Sequence, residues 1–447
     1  MSDKKLSKIL DLVSEYVLGN KKNKTWEAGK DWVEYSGPVF DDKEYTAAIE
    51  SLLSEWLIFG GNCGKFEHAF PKHLGKDQGV LTNSGSSANL LMTYTMSSKN
   101  VLPKEMRLSK GSKIITPVVC FPTTINPIIQ SGFEPVFVDV DLPSLNLNLD
   151  EVESLLEKDK DIKGIMFAHV LGNPPDMDRL MSLVEKYNLV FLEDSCDALG
   201  SFYDGKKLGS FGFMSTCSFF PAHHMTMGEG GFVATNHTIV KKALSSIRDW
   251  GRDCYCNIKI PGSTVAGTAC GNRFKNWFKH FPEATYDHRY IFSEIGFNLK
   301  PIDLQGAMGL QQLEKLPQLD AARRENYRSL IKIFEPYEEH LMLPRPTPKS
   351  DPCWFGFLLT LKDGAPFKKQ DFISFLEKAK IQTRSYFTGN CLYHPAYEEF
   401  YEKNKHRSFP NADKTTLDTL FMGTFKGINK EKMDYIKTVV DGFFSQI

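Results

Sequence analysis

Two short segments place polar residues where a cofactor or a phosphate could bind. Gly85, Ser86 and Ser87 open an apolar helical pattern, so hydroxyls and backbone N–H groups would meet at the positive end of a helix. That arrangement suits a phosphate, although a plain turn and helix cap fit the same residues. Glu193 and Asp194 end an apolar strand pattern. A carboxylate there would face the ligand crevice of an α/β sheet and could keep a pyridinium nitrogen protonated; a helix cap is the alternative.

Two further segments combine histidine, serine and glycine-rich turns: 217–235 (CSFFPAHHMTMGEGGFVAT) and 296–316 (GFNLKPIDLQGAMGLQQLEKL). His223 and His224 lie five and four residues before Gly228, the first residue of the GEGG turn. An imidazole can accept and return a proton near neutral pH, which is the requirement for acid–base catalysis. A lone histidine beside such a turn is ordinarily structural, so the histidine pair alone does not decide between the two roles.

Nine cysteines occur in the chain, an odd number, and no secretory signal is expected, which favours metal ligands or buried thiols over a disulfide framework.

The elements that must position these residues alternate between strand and helix patterns. Apolar β-rich runs are predicted at 113–119, 134–140, 165–170, 189–193, 214–219 and 231–235, and helices at 43–57, 86–97, 149–157, 177–187 and 302–334. This order predicts a largely parallel sheet that is covered on both faces. The α/β pattern restarts after Pro344. We predict an N-terminal helix and arm (1–40), a large domain (41–325) with a metal-binding loop near 254–270, and a small C-terminal domain (326–447).

Composition narrows the class of protein. The chain has 447 residues, of which 41% are hydrophobic and 24% charged, values typical of a globular protein. Lys and Arg number 54 against 55 Asp and Glu, so no basic excess is available to bind nucleic acid. The apolar positions of residues 6–18 are interrupted by polar ones, and no run of 18 apolar residues occurs, so neither a signal peptide nor a membrane span is expected. We predict a cytoplasmic protein.

Together these motifs resemble the DegT/DnrJ/EryC1/StrS family of vitamin-B6-dependent sugar aminotransferases, from about residue 35 to 440. The resemblance implies the type I (aspartate aminotransferase) fold, with a mainly parallel seven-stranded sheet in a large domain and a smaller C-terminal α/β domain. It also implies a homodimer, because Asn298 matches a residue that reaches the cofactor phosphate of the neighbouring subunit.

One departure from the family pattern decides the expected chemistry. In the family, the segment reads Ser-Phe-x-x-x-Lys before Gly-Glu-Gly-Gly, and the lysine bonds covalently to the cofactor. Here His223 takes the lysine position, and no lysine occurs between Lys207 and Lys241. Such a replacement marks the sugar-nucleotide 3-dehydratases, which use pyridoxamine 5′-phosphate (PMP). The resemblance therefore implies that His223 is the catalytic base.

Other roles follow from the resemblance position by position. It implies that Ser86, Ser87 and Ser218 contact the cofactor phosphate and that the Phe121 ring stacks on the cofactor ring. It also implies that Asp194 pairs with the pyridine nitrogen and that Asp197 lies near the cofactor 3′-hydroxyl. Segment 383–390 resembles a sugar-nucleotide contact region, in which Arg384 could meet a phosphate or form a surface salt bridge. His169 fits a cofactor pocket or a packed core equally well.

The subgroup has two branches, one without a redox cluster and one with a [2Fe–2S] cluster that receives electrons from a flavin/iron–sulfur reductase. The spacing of Cys196, Cys254 and Cys256 matches the second branch, with 57 residues between the first two. Cys270 departs from it, because 13 residues separate it from Cys256 where the pattern has seven. A longer surface loop could still return Cys270 to the cluster.

The resemblance thus implies that Cys196, Cys254, Cys256 and Cys270 are the metal ligands. Four thiolates suit a [2Fe–2S] cluster or zinc, and free thiols are the third alternative. Because Cys196 lies two residues after Asp194, its Cα would be about 7 Å from that of Asp194 in an extended chain. A redox cluster so close to a cofactor ring has a use that structural zinc lacks, and we therefore favour the cluster.

The expected reaction is therefore PMP- and [2Fe–2S]-dependent C3 deoxygenation of a nucleotide-linked 4-keto-6-deoxyhexose, CDP-linked by preference. The product would be a 3,6-dideoxy-4-ketohexose for lipopolysaccharide O-antigen or a related glycan. Two alternatives stay open: a cluster-free dehydratase that uses PMP and glutamate, and a non-catalytic protein that binds a sugar nucleotide.

Overall fold

The computed structural model describes residues 2–22, 25–254 and 272–447. Its strands are β1 Gln78–Thr82, β2 Lys113–Pro117, β3 Glu134–Val138, β4 Ile162–Ala168, β5 Val190–Asp194, β6 Phe202–Tyr203, β7 Lys206–Lys207, β8 Met214–Ser218, β9 Gly231–Thr235, β10 Phe274–Lys275, β11 Tyr286–Asp287, β12 Leu341–Met342, β13 Ser350–Asp351, β14 Gly356–Leu361, β15 Arg384–Ser385 and β16 Thr419–Gly423. Its α-helices are α1 Ser2–Lys22, α2 Asp42–Leu53, α3 Gly61–Ala69, α4 Gly85–Thr95, α5 Pro122–Gln130, α6 Leu149–Lys158, α7 Met177–Lys186, α8 Thr238–Arg248, α9 Asp303–Phe334, α10 Lys369–Lys378, α11 Glu398–Asn404, α12 Pro410–Asp418 and α13 Lys430–Phe444.

The central sheet has seven strands in the order β1-β9-β8-β5-β4-β2-β3. β9 runs antiparallel to both neighbours, and the other six strands are parallel to one another. Every residue of β8 and β9 is buried. In β9 this burial agrees with a near-continuous apolar run, since a sheet covered on both faces has no polar face to alternate with. In β8 the buried residues include Ser215, Thr216 and Ser218, which the apolar pattern does not explain. The predicted fold class, a type I α/β architecture with this sheet, is confirmed.

Helices cover both faces of the sheet. On one face α4 and α8 pack against β1, β2 and β9 through a cluster that includes Leu91, Met92, Val233 and Leu244. On the other, α6 and α7 pack against β3, β4 and β5 through Val152, Leu180, Ile165 and others. Each face of the sheet is therefore covered by its own helices. The carboxyl ends of the parallel strands remain as the edge where loops can present catalytic or binding residues.

A second sheet, β12-β14-β16-β15, lies on the C-terminal part of the chain and packs on α9, α10 and α13. α9 spans 32 residues and passes without interruption through Pro317 and through the predicted domain boundary at 325. Helix α9 therefore links the second sheet to α2 and α3, against which its first half packs.

The helix predicted over 43–57 ends earlier in the structure, at Leu53. Glu55 has a φ of 62°, and this left-handed backbone conformation stops a helix. Strand β4 begins at Ile162, three residues before the predicted strand. Among the described residues, none of the helices has both the length and the apolar character needed to cross a membrane.

Candidate active site

The carboxyl ends of β1, β2, β5 and β8 lie at one edge of the central sheet. Four of the residues predicted to bind the cofactor lie there: Asp194 and Ser218 end their strands, Phe121 precedes α5, and Ser86 is in the first turn of α4. The segments after β1 and β2 are in contact, since the Ser86 hydroxyl lies 3.2 Å from Thr123 Oγ1, two residues after Phe121. The parallel topology thus brings together groups that are up to 132 residues apart in the chain.

Asp194 is the buried centre of this edge and is 2% exposed. Its Oδ2 accepts hydrogen bonds from Asn89 Nδ2 at 2.7 Å and from Thr124 Oγ1 at 2.8 Å. Its Oδ1 accepts one from the Cys196 backbone N–H at 3.1 Å and lies 3.5 Å from Thr216 Oγ1. None of the ion pairs found among the described residues includes Asp194, so this buried carboxylate lacks a cationic partner from the described part of the chain. A cationic ring nitrogen would supply that partner.

Asn89, Thr124 and Thr216 were not predicted as site residues. Asn89 is fixed in turn, because its Oδ1 accepts from Thr216 Oγ1 at 2.6 Å and its Nδ2 also donates to the Thr123 carbonyl at 3.0 Å. In the sequence they are ordinary polar residues inside a helix or strand pattern. The only available signal was that Asn89 interrupts an otherwise apolar segment.

The start of α4 is the place where the sequence predicts a phosphate-binding cradle. Ser84 caps the helix, accepting from the Ser87 backbone N–H at 3.1 Å, and its hydroxyl lies 3.0 Å from that of Ser87. Gly85 permits the close approach of β8: a Cβ added there would lie 2.4 Å from Ser218 Cβ. Ser86 is exposed and Ser218 is buried. The three predicted serines therefore surround one helix N-terminus, where an anion is favoured.

Phe121 is the residue before α5 and is 49% exposed, which is unusual for a phenylalanine beside a buried carboxylate. One edge of its ring meets Phe387, with ring centroids 5.6 Å apart. Thr388 Oγ1 donates to the Cys120 carbonyl at 2.8 Å. Segment 383–390, predicted to contact a sugar nucleotide, is therefore packed beside Phe121, whose side chain remains half exposed.

Arg384, in the same segment, is exposed. Its guanidinium lies 4.2 Å from the centre of the Tyr35 ring and donates to the Thr383 carbonyl at 2.7 Å. Within the described part of the chain it forms no salt bridge. Of the two roles considered for it, a surface ion pair is thus not observed.

His223 lies on the loop after β8, with its Nδ1 3.4 Å from Asp197 Oδ1. This distance is longer than that of a normal hydrogen bond between a nitrogen and an oxygen atom. Asp197 is buried, and this burial raises the pKa of its carboxyl above the usual value, while His223 opposes the rise. The imidazole also faces the Phe355 ring, with centroids 5.2 Å apart. The partly exposed His223 imidazole and the buried Asp197 carboxylate thus face each other, with Asp197 three residues after Asp194 in the chain.

His224 and His169 have structural positions. His224 is buried with one ring nitrogen, Nε2, 2.7 Å from the Cys353 carbonyl. Burial, and then the charge of Arg323, hold its pKa well below the usual value, so it is neutral. His169 is fully buried and its Nε2 lies 2.9 Å from Glu193 Oε1. Glu193 also accepts backbone N–H groups from Gly209, Phe211 and Gly212. Of its two possible roles, His169 thus has that of a packed core histidine.

Of the four predicted metal ligands, the structure describes Cys196 and Cys254; Cys256 and Cys270 lie outside the described residues. Burial, and then the Asp194 carboxylate, hold the pKa of the Cys196 thiol well above the usual value. Cys254 is partly exposed. In residues 2–22, 25–254 and 272–447 no group of three or more His, Cys, Asp or Glu side chains is arranged to hold a metal ion.

Asn298 lies on a segment whose backbone pairs with Asp249. Its Oδ1 accepts from Lys300 Nζ at 2.7 Å, and Lys300 lies over the Trp250 ring at 3.4 Å. The segment is joined to the residues before α4 through the backbone, because Asn83 N–H donates to the Leu299 carbonyl at 2.8 Å. The predicted role of Asn298 toward a second subunit stays a prediction.

The residues present fit a pyridoxal-type cofactor. A cradle that Gly85 keeps free of a side chain suits its phosphate, an exposed aromatic face suits its ring, and a buried carboxylate without a cationic partner suits its pyridinium nitrogen. The fold and these groups define a type I pyridoxal-phosphate protein. A comparison with family models identifies the particular family: residues 38–441 match, and the chain belongs to the DegT/DnrJ/EryC1/StrS aminotransferase family.

Similar proteins in this family include several named dehydratases. The chain is 40% identical to lipopolysaccharide biosynthesis protein RfbH of Salmonella typhimurium, covering 98% of this chain and 97% of that protein. It is 39% identical to dTDP-4-dehydro-2,6-dideoxy-D-glucose 3-dehydratase of Saccharopolyspora spinosa, covering 95% and 89%. The solved structure of E. coli GDP-4-keto-6-deoxy-D-mannose-3-dehydratase with bound hydrated pyridoxal phosphate is 28% identical, with a TM-score of 0.77 and coverage of 92% and 99%.

Proposed function

We propose that this protein is a PMP-dependent sugar-nucleotide 3-dehydratase that removes the C3 oxygen of a nucleotide-linked 4-keto-6-deoxyhexose. The observation that carries the proposal is the pairing of His223 with Asp197 beside Asp194, on the loop where other family members have a lysine. A cofactor there cannot be anchored covalently by the protein. The similar proteins named as 3-dehydratases of dTDP- and GDP-linked sugars support the same reaction class.

When bound, PMP supplies a primary amine for condensation with the C4 ketone and a pyridinium ring that accepts the developing charge. Asp194, held by Asn89 and Thr124, keeps the ring nitrogen protonated. His223 accepts a proton from the reacting carbon next to the ring. Asp197 faces His223 Nδ1 and stabilises the imidazolium that results.

Binding of the cofactor then rests on non-covalent contacts alone. The serines at the start of α4, together with Ser218, hold the phosphate, and Phe121 packs on one face of the ring. Each contact adds only a modest free energy, so we expect PMP to dissociate measurably from the protein.

We further propose that Cys196, Cys254, Cys256 and Cys270 bind a [2Fe–2S] cluster, which would supply single electrons from a flavin/iron–sulfur reductase. The spacing of the cysteines in the sequence supports this proposal. So does one contact of the described residues: the Cys196 N–H donates to the carboxylate of Asp194, the residue proposed to hold the ring. Cluster and cofactor would thus share a backbone segment of three residues.

The remaining assignments complete the proposal. CDP is the favoured nucleotide, the product is a 3,6-dideoxy-4-ketohexose for a lipopolysaccharide or related glycan, and the protein is a homodimer in which Asn298 reaches the neighbouring active site. The similarity to RfbH supports the biosynthetic setting. We also retain the proposed division into an arm (1–40), a large domain (41–325) and a small domain (326–447).

A second candidate is a cluster-free dehydratase that uses glutamate as its amine source. One observation favours it: a solved relative with a TM-score of 0.75 and 28% identity contains a trapped pyridoxal-phosphate–glutamate geminal diamine.

Iron content and the visible spectrum of anaerobically purified protein distinguish the two candidates. About two irons per chain, with absorption that bleaches on addition of dithionite, would support the cluster. Protein without iron that releases the C3 oxygen with PMP and glutamate would support the second candidate. No turnover of CDP-, dTDP- or GDP-linked 4-keto-6-deoxyhexoses, with either electron or amine donor, would contradict both.

A further inference from the structure

Arg323, near the middle of α9, is 3% exposed and has five oxygen partners from three separate parts of the chain. Its Nη2 donates to the His223 carbonyl at 3.1 Å and lies 3.4 Å from the Ala222 carbonyl. Its Nη1 lies 3.1 Å from the Phe355 carbonyl, 3.3 Å from that of Trp354 and 3.4 Å from Thr424 Oγ1. One guanidinium therefore ties the loop of His223 to α9 and to the second sheet.

This buried charge has no carboxylate partner among the ion pairs of the described residues. Burial lowers the pKa of Arg323, while the Asp320 and Asp197 carboxylates, which lie nearby but beyond ion-pair distance, oppose that fall. Burying a cation that has no carboxylate in direct contact is costly, and an apolar side chain would fill the same space without that cost. The rigid fork of arginine, which holds several oxygens at fixed angles, is the property that an apolar residue or lysine cannot supply.

The neighbouring Arg324 shows what an ordinary arginine does on this helix. Its Nε pairs with Asp351 at 3.1 Å, a carboxylate that is largely exposed, and its Nη2 donates to the Gly200 carbonyl at 2.7 Å. Neither partner belongs to the loop of His223. The two arginines thus differ in burial and in partners while sharing a helix and adjoining positions.

We propose that Arg323 is a positioning residue for the proposed reaction: its guanidinium fixes the main chain at Ala222 and His223 so that the imidazole stays within reach of Asp197 and of the reacting carbon. The Phe355 ring supports the arrangement, since it packs 5.2 Å from the His223 ring and 5.9 Å from the guanidinium carbon. This inference rests on the proposed function of His223. The contacts proposed for the cofactor phosphate, ring and ring nitrogen do not involve Arg323. We therefore expect cofactor binding to be independent of Arg323.

Arg323→Lys tests the proposal, with Arg324→Lys as the matched control. Lysine keeps the positive charge but lacks the forked guanidinium that holds several oxygens at fixed angles. We expect kcat to fall about 10- to 100-fold, the effect of a small misplacement of a catalytic group, while KM and the dissociation constant of PMP change less than about threefold. With PMP deuterated at C4′, the isotope effect on kcat should rise, because proton removal becomes slower. Arg324→Lys should leave both values unchanged.

Amide hydrogen exchange separates this proposal from the proposed function, because it needs no turnover. In Arg323→Lys, peptides that cover 219–227 should exchange faster, while those of α8 keep their rate. If the wild-type protein catalyses no dehydration but the loop exchanges faster, the function fails and the positioning role stands. A loss of kcat that matches the unfolded fraction, with an unchanged isotope effect and unchanged exchange, would overturn the positioning role.

Thr424→Val provides a second variant if Arg323→Lys does not fold. Valine has nearly the same shape as threonine but removes the hydroxyl that faces Arg323 Nη1 at 3.4 Å. We expect a smaller rise of the same isotope effect and faster exchange of the same peptides. Wild-type values for both measurements would overturn the proposal.

Discussion

The side chain of Asp197 faces Nδ1 of His223 at 3.4 Å, which leaves Nε2 on the opposite side of the imidazole ring. A proton on Nδ1 would therefore point to a buried carboxylate, and the lone pair of Nε2 would be available to accept a proton from a substrate. This relationship separates the orienting group from the proton acceptor, as in other sites where a carboxylate sets the tautomer of a histidine.

The charge of Asp197 can be tested with Asp197→Asn. An amide keeps the shape but cannot stabilise an imidazolium, so kcat should fall about 10- to 100-fold while PMP binds as before. Steady-state kinetics and a PMP titration measure the two effects. If instead PMP affinity falls and kcat at saturating PMP is unchanged, Asp197 acts on the cofactor 3′-hydroxyl rather than on His223.

Replacing His223 by lysine should restore the residue type found at this position in the family. His223→Lys is expected to bind pyridoxal phosphate covalently, seen as a new visible absorption band that borohydride treatment removes, and to lose dehydration. His223→Asn should lose dehydration without gaining the band. Normal dehydration by the lysine variant would show that His223 is not the base.

The hydrogen bonds that hold Asp194 should matter for cofactor affinity. Thr124→Val removes the donor at 2.8 Å from Asp194 Oδ2 and should weaken PMP binding about 5- to 30-fold, equivalent to about 1–2 kcal/mol for a bond to a charged group. Thr93→Val is the control, because Thr93 is equally buried but donates to the Asn89 carbonyl. Equal PMP dissociation constants for the two variants would contradict the assignment of Asp194.

The proposed cluster ligands can be separated from the other cysteines. Alanine at 196, 254, 256 or 270 should each remove most of the bound iron and the visible absorption, because four thiolates complete the cluster. Cys353, fully buried beside Asp320, is not a proposed ligand, and its replacement by alanine should leave the iron content unchanged. Full iron content in Cys270→Ala would remove that residue from the ligand set.

Asp320 gives a prediction for stability against pH. Burial raises the pKa of its carboxyl to about 6 in the folded protein, from 3.8. Below pH 3.8 the residue is protonated in both states and has no effect on stability. Between pH 3.8 and 6 the unfolded state ionises first, so stability is lost as the pH rises, and above pH 6 the full cost, about 3 kcal/mol at most, remains.

Asp320→Asn should remove that cost, since the amide is neutral at every pH. We expect the variant to exceed the wild type in free energy of unfolding at pH 8 by about 1–3 kcal/mol, and by much less at pH 4. Urea denaturation at both values measures the difference. A difference that does not change with pH would show that Asp320 ionises normally in the folded state.

The amino-acid sequence determined the order of strands and helices, because buried parallel strands leave continuous apolar runs and surface helices leave a 3.6-residue period. It also placed Ser86, Phe121, Asp194 and Ser218 at strand or helix ends, and His223 on the loop after a strand, where a parallel sheet must bring them to one edge. These positions can be predicted from the sequence because each motif is a short, continuous segment.

Only the tertiary structure decided which groups surround them. Asn89, Thr124 and Thr216 hold Asp194 from three separate elements, and Arg323 reaches the loop of His223 across 100 residues of chain. It also placed His169 against Glu193 in the core. Such contacts depend on side chains that meet across the packed sheet and helices, and a hydrogen bond between distant residues leaves no spacing or period in the sequence.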